Sequence, residues 1–145
     1  MIPVDPSPIF LIGFMATGKS TVGPMMAERM GRRFVDLDGE VERAAGKRVP
    51  EIFRTEGEPA FRHREAAALA QVAGQPGVVV ACGGGTPCFG DNLSRMRQRG
   101  VVVALRASVE EILRRAIAGT RPLLDVDPGR DAAERIYRER QAVYE

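Results

Sequence analysis

The stretch Gly13-Phe14-Met15-Ala16-Thr17-Gly18-Lys19-Ser20 constrains the fold more than any other part of the chain. It fits the pattern glycine, four residues, then glycine-lysine-serine, whose backbone N–H groups wrap a phosphate. The pattern has meaning only between a strand and a helix, and both are legible. Ile9-Phe10-Leu11-Ile12 is an unbroken apolar run, as expected of a parallel strand buried on both faces. Thr21 to Met30 reads as a helix, with Pro24 early in it and Gly31 as its terminator. The helix N-terminus adds partial positive charge to the loop, which suits a polyphosphate. On this pattern Gly13, Ala16, Thr17, Gly18, Lys19, Ser20 and Thr21 are candidate nucleotide contacts. Lys19 is expected to reach the β- and γ-phosphates and the Ser20 hydroxyl to bind magnesium.

The rest of the chain repeats the alternation. Residues 1 to 8 hold three prolines and read as a loose tail. Phe34 to Asp38 reads as a second strand. If it persists, Asp36 and Asp38 point the same way, which is costly unless a metal, an arginine or a substrate group lies between them. An edge strand with a solvated acidic face is the other reading. Gly39 to Ala45 is expected to be helical, stopped by Gly46. A short helix starts at Val49-Pro50 and is broken by Gly57, and a longer one runs from Glu58 to Val72. In that longer helix Phe61, Ala68, Leu69 and Val72 mark the buried face.

Val78 to Cys82 is a central strand that ends in Gly83-Gly84-Gly85, where three glycines would let a ligand approach the backbone. Thr86-Pro87-Cys88 after them has no assignable role. Asp91 to Arg99 is a helix and Val101 to Leu105 a fourth strand. Ser108 and Glu111 form a capping box for a helix running to about Ile117. Ala118 to Arg130, with two glycines and two prolines, is expected to be a lid, and Asp131 to Tyr144 a last helix. The alternation predicts an α/β domain of phosphate-loop NTPase type, three layers α/β/α around a central parallel sheet of four strands.

Composition excludes several function classes. With 145 residues the chain makes one domain, and a net charge of +2 is too small to call for nucleic acid or a membrane surface. No apolar run approaches a membrane span, and the N-terminus lacks the basic start and apolar core of a signal peptide, so a cytoplasmic protein is expected. Only Lys19 and Lys47 of the 21 basic residues are lysine. Lysine in the loop therefore stands out, because a guanidinium is no substitute for a compact ammonium there. Cys82 and Cys88 make neither a disulfide framework nor a zinc site. His63, among charged residues, reads as a surface side chain.

With these residues in place the chain resembles the shikimate kinase family, from Ile9 to Tyr144. The resemblance rests on the phosphate loop, Asp36-Leu37-Asp38, Glu51-Ile52-Phe53, Phe61-Arg62-x-x-Glu65, Gly83-Gly84-Gly85 and Arg121-Pro122-Leu123-Leu124, in that order and spacing. It implies ATP and Mg2+ as cofactors, shikimate as small-molecule substrate, transfer of the γ-phosphoryl group to the shikimate 3-hydroxyl, and a monomer. By resemblance, Asp38 orients that hydroxyl and takes its proton. Arg62 and Arg140 clamp the carboxylate, and Glu65 holds Arg62. Gly83, Gly84 and Gly85 contact the ring, against an apolar wall of Phe53 and Phe61. Arg121 is the lid arginine between donor and acceptor phosphates, Asp36 positions magnesium through water, and Arg115 packs near adenine. Lys19, Asp38 and Arg121 are the expected catalytic set. The family continues with a fifth strand, an adenine loop and a final helix, so a domain truncated after Glu145 is expected. Two alternatives remain at this point: another small-molecule kinase, acting on gluconate or a nucleoside, and a weakly active nucleotide-binding module.

Overall fold

A computed structural model describes residues 5–117 and 130–145. Four strands, β1 (Ile9–Ile12), β2 (Arg33–Asp36), β3 (Val78–Ala81) and β4 (Val101–Ala104), form one parallel sheet in the order β2-β3-β1-β4. The helices are α1 (Lys19–Arg29), α2 (Leu37–Ala45), α3 (Val49–Glu56), α4 (Glu58–Ala73), α5 (Asn92–Arg99), α6 (Val109–Ile117) and α7 (Arg130–Tyr144), with a 3-10 turn at Thr86–Cys88.

Both inner strands are buried along their whole length, which is why they read as unbroken apolar runs. Alternate side chains enter different cores. Phe10, Ile12, Val78 and Val80 join the larger one, with Leu37, Val41, Ile52, Phe61, Leu69, Val72 and Met96 from α2 to α5. Ile9, Leu11 and Val79 face Ala27 of α1. Helix α1 comes close to the sheet because Gly23 faces Phe34: a Cβ at that position would lie 2.4 Å from the ring.

Local chemistry sets the helix ends. Helix α1 closes in a Schellman arrangement, with Gly31 in the left-handed region at φ 63°, Gly31 N–H donating to Glu28 and Arg32 N–H to Ala27. Gly46, at φ 68°, ends α2. Ser108 Oγ accepts from Glu111 N–H at 3.2 Å. The expected capping box is only half made, because the Glu111 carboxylate turns to Arg114 and Arg115 instead.

Two expectations need correction. Residues 5–8 are not a loose tail: Pro6 and Pro8 carbonyls accept from the N–H groups of Gly77 and Val101, and Arg32 donates to the Ser7 carbonyl. The second strand stops at Asp36, whose carboxylate accepts from Asp38 N–H at 3.1 Å and so starts α2. Asp38 therefore lies in the first turn of a helix and not on a strand. The segment 118–129, which holds most of the expected lid including Arg121, lies outside the described residues.

The strand order places the site. Connections leave β1 toward β2 and β3 toward β4, in opposite directions across the sheet. The crevice beyond the carboxyl ends of these adjacent strands is where such sheets bind ligands. The phosphate loop follows β1 there, and Gly83-Gly84-Gly85 follows β3.

Candidate active site

The phosphate loop is a tight cage. Gly13 and Gly18 take φ 147° and 100°, and Ala16 sits in the left-handed region at φ 62°, a strained conformation for a residue with a side chain. A Cβ on Gly13 would lie 2.4 Å from the Leu105 carbonyl oxygen. Lys19 Nζ donates to the carbonyls of Gly13 at 2.6 Å and Phe14 at 2.8 Å, so the ammonium is folded back onto the loop. Thr17 Oγ1 donates to the Phe14 carbonyl at 2.8 Å. Among the described residues no side chain caps the N-terminus of α1. Arg115, from α6, donates to the Ala16 carbonyl at 2.9 Å and is brought against the loop.

A cavity of about 500 Å³ opens over this loop. Its lining takes in residues 15–22, Asp36, Asp38, Ala81, Cys82, Gly83, Gly84 and Arg115. Ser20, Asp36 and Asp38 thus share one space, although Asp36 and Asp38 stand on different elements.

A second, smaller cavity of about 90 Å³ adjoins it, lined by Met15, Asp38, Val49, Phe53, Phe61, Arg62, Glu65, Gly83, Gly84, Gly85 and Arg140. Met15, Asp38, Gly83 and Gly84 line both. The Phe53 and Phe61 rings pack in a tilted pair, centroids 4.7 Å apart, as one apolar side. Arg62 comes from α4, and Glu65, one turn on, is fully buried and accepts from it at 3.0 Å. Arg140 comes from α7. That helix is tied to the loops by Tyr144, four residues on, whose hydroxyl donates to the Gly84 carbonyl, and by Tyr137 packed edge-on against Phe14. Burial pushes the Tyr144 hydroxyl pKa up to about 12, so it stays a donor.

Two buried polar atoms of its lining residues have no hydrogen-bond partner among the described residues: Asp38 Oδ1 and Arg140 Nη1. Burial, then the carboxylates of Asp36, Glu65 and Glu42, push the Asp38 pKa from 3.8 up to about 6, with Lys19 pulling the other way. A carboxylate of raised pKa and a guanidinium nitrogen with no partner among the described residues line one cavity that adjoins the space over the phosphate loop, an arrangement suited to a ligand with its own hydroxyl and anionic groups.

The structure brings together every predicted site residue that it describes. The three glycines line the smaller cavity and also leave room for neighbouring side chains. A Cβ on Gly85 would lie 2.5 Å from Arg62 Nη2, and one on Gly83 within 3.1–3.4 Å of oxygens of Thr86, Glu65 and Asp38. At Gly85 that neighbour is the Arg62 guanidinium. Sequence reasoning missed Glu58, which accepts from Arg62 Nε and Nη2, and Phe89, whose ring lies 4.1 Å from the Arg62 Cζ. It also missed Thr86, which donates to Glu65, and Tyr144. The four-residue spacing of Glu58 and Arg62 was a usable signal; the others have none. Cys82 is buried, with burial raising its thiol pKa, and His63 is exposed, as the sequence suggested.

Comparison with known proteins agrees with this geometry. The family model described as shikimate kinase matches residues 15–145. The shikimate kinases of Bordetella avium and Bordetella pertussis are 43% and 44% identical over 94% of this chain. The chain covers 66% and 65% of their lengths, just under two thirds. That of Methylococcus capsulatus is 41% identical, with 94% of this chain and 76% of the relative covered. Among solved structures, shikimate kinase from Acinetobacter baumannii in complex with shikimate superposes with a TM-score of 0.91 at 39% identity, over 95% of this chain and 78% of that one. The enzyme from Aquifex aeolicus gives 0.82 at 34%, over 94% and 81%. With its phosphate loop, paired aspartates and two inward arginines in one crevice, the chain belongs to the shikimate kinase family.

Proposed function

We propose that this chain transfers the γ-phosphoryl group of ATP to the 3-hydroxyl of shikimate, giving shikimate 3-phosphate and ADP. The observation that carries the reading is the meeting of two cavities at Asp38, one over the phosphate loop and one ending in Arg62 and Arg140. Phosphoryl transfer asks the protein mainly for alignment and charge neutralisation. Lys19 leaves the Gly13 and Phe14 carbonyls to pair with phosphate oxygens. Asp38 Oδ1 accepts the acceptor hydroxyl and takes its proton as the bond to phosphorus forms. Arg140 and Arg62 hold the acceptor carboxylate at the far end, against Phe53 and Phe61. Gly83, Gly84 and Gly85 keep the floor low, and Arg115 borders the base. Arg121 is assigned from sequence alone as the lid residue.

Ser20 and Asp36 would hold Mg2+. Hard oxygen donors sharing a cavity with Asp38, whose Oδ1 has no partner among the described residues, suit that ion, which supplies neutralisation of phosphate charge when bound. A monomeric, cytoplasmic enzyme is part of the proposal, in keeping with the modest net charge. Among the described residues no helix is long and apolar enough to cross a membrane.

The test is coupled ADP release with magnesium and ATP, with and without shikimate, and with gluconate and a nucleoside as rival acceptors. Shikimate-dependent turnover that disappears in Lys19→Ala is expected. Turnover on a rival acceptor, or none on shikimate, would refute the proposal.

A further inference from the structure

Arg62 is held with unusual completeness. A guanidinium has five N–H donors. Nε and Nη2 donate to Glu58 Oε1 at 3.3 and 3.1 Å, and Nη1 to Glu65 Oε1 at 3.0 Å. One N–H on each of Nη1 and Nη2 is left, and two donors on adjacent nitrogens are what a carboxylate pairs with. Whether that pair faces the ligand depends on the angle of the guanidinium plane, and so on Glu65.

Glu65 has no exposed surface, and its second oxygen accepts from Thr86 Oγ1 at 2.8 Å. Thr86 is itself fully buried and held at both ends of its peptide unit. Its N–H donates to the Gly83 carbonyl at 3.1 Å, and its carbonyl accepts from Asn92 Nδ2 at 2.9 Å, with Asn92 2% exposed. The same turn ends in Phe89, whose ring lies under the guanidinium. A buried carboxylate with one oxygen unpaired turns to recover a partner, because the missing bond costs more than a rotation. Asp38 Oδ1 lies on the same side, over Gly83, and offers only repulsion.

We infer that Thr86 is a positioning residue for the acceptor-carboxylate site, acting through Glu65 to set the plane of Arg62. The inference rests on the function proposed above. It assigns a role to a turn that otherwise has none, and predicts a defect confined to recognition of the carboxylate. Thr86→Val keeps the shape and removes the hydroxyl. The expected result is a rise of about tenfold in KM for shikimate, the scale of one lost hydrogen bond to a buried charge. KM for ATP stays unchanged and kcat stays within about twofold. Thr86→Ser restores KM, and the shikimate carboxamide, which lacks the charge, shows no difference between wild type and Thr86→Val. Thr86→Ala serves in its place should the valine variant not fold.

An unchanged shikimate KM in the folded variant, an equal loss on the carboxamide, or no rescue by serine would overturn the inference alone. Absence of shikimate-dependent turnover in the wild type would overturn the function itself, and the inference with it.

Discussion

Replacing Asp38 by asparagine should make the ligand-free protein more stable at neutral pH and no more stable in acid. Asp38 is ionised at neutral pH at a cost, because burial and the carboxylates of Asp36, Glu65 and Glu42 all oppose its charge. Its pKa rises from 3.8 to about 6, and a rise of about 2.2 at 1.36 kcal/mol each corresponds to about 3 kcal/mol. Below pH 3.8 the carboxyl is protonated in folded and unfolded chains alike, and the charge has no effect. Between about 3.8 and 6 the unfolded chain ionises while the folded chain keeps its proton, so wild-type stability falls as pH rises. Above pH 6 the whole penalty is present. Asp38→Asn removes it, and at about 2–4 °C per kcal/mol Tm should rise by about 6–12 °C at pH 7.5 and hardly move at pH 3.5. Thermal melts followed by circular dichroism, without magnesium or nucleotide, read both. The same variant should lose nearly all turnover, and wild-type kcat/KM for the acceptor should fall below about pH 6 as Asp38 is protonated. A Tm difference equal at the two pH values, or a less stable variant at pH 7.5, would refute the electrostatic reasoning.

Two further substitutions probe the packing of the site and of the sheet. Gly85→Ala should displace Arg62, which lies 2.5 Å from the new methyl group and is held by Glu58 and Glu65. Steady-state kinetics should show a raised KM for shikimate with KM for ATP unchanged, and equal acceptor KM values would contradict the clash. Gly23→Ala should destabilise by about 1–3 kcal/mol, since the methyl group overlaps the ring of the partly buried Phe34, which packs against the α1 side of the sheet. Urea titration should show the loss as a lower midpoint with an unchanged slope.

The sequence alone determined those features that are local or periodic. Glycines at 13, 18, 31 and 46 adopt backbone angles that other residues resist, so the loop and the helix ends were readable without a structure. Ile9–Ile12 and Val78–Ala81 read as central strands because a strand buried on both faces must be apolar throughout. Arg62 and Glu65 were visible as neighbours because three residues make nearly one helical turn. Asp36 and Asp38 lay at the limit of this reading. Alternation suggested one strand, and the capping bond from Asp36 to the Asp38 N–H overrode it.

Tertiary structure decided everything that joins distant parts of the chain. No local signal tells that Thr86 hydrogen-bonds Glu65, that Phe89 underlies Arg62, or that Tyr144 fastens α7 to Gly84. Nor does one tell that a side chain at Gly85 would meet the Arg62 guanidinium. These contacts depend on strand order. Placing β3 beside β1 puts two loops, far apart in sequence, at one crevice, and the side chains of α4 and α7 converge only there. A raised Asp38 pKa follows from the same convergence, because burial and neighbouring charge are properties of the folded crevice and not of the residues one by one.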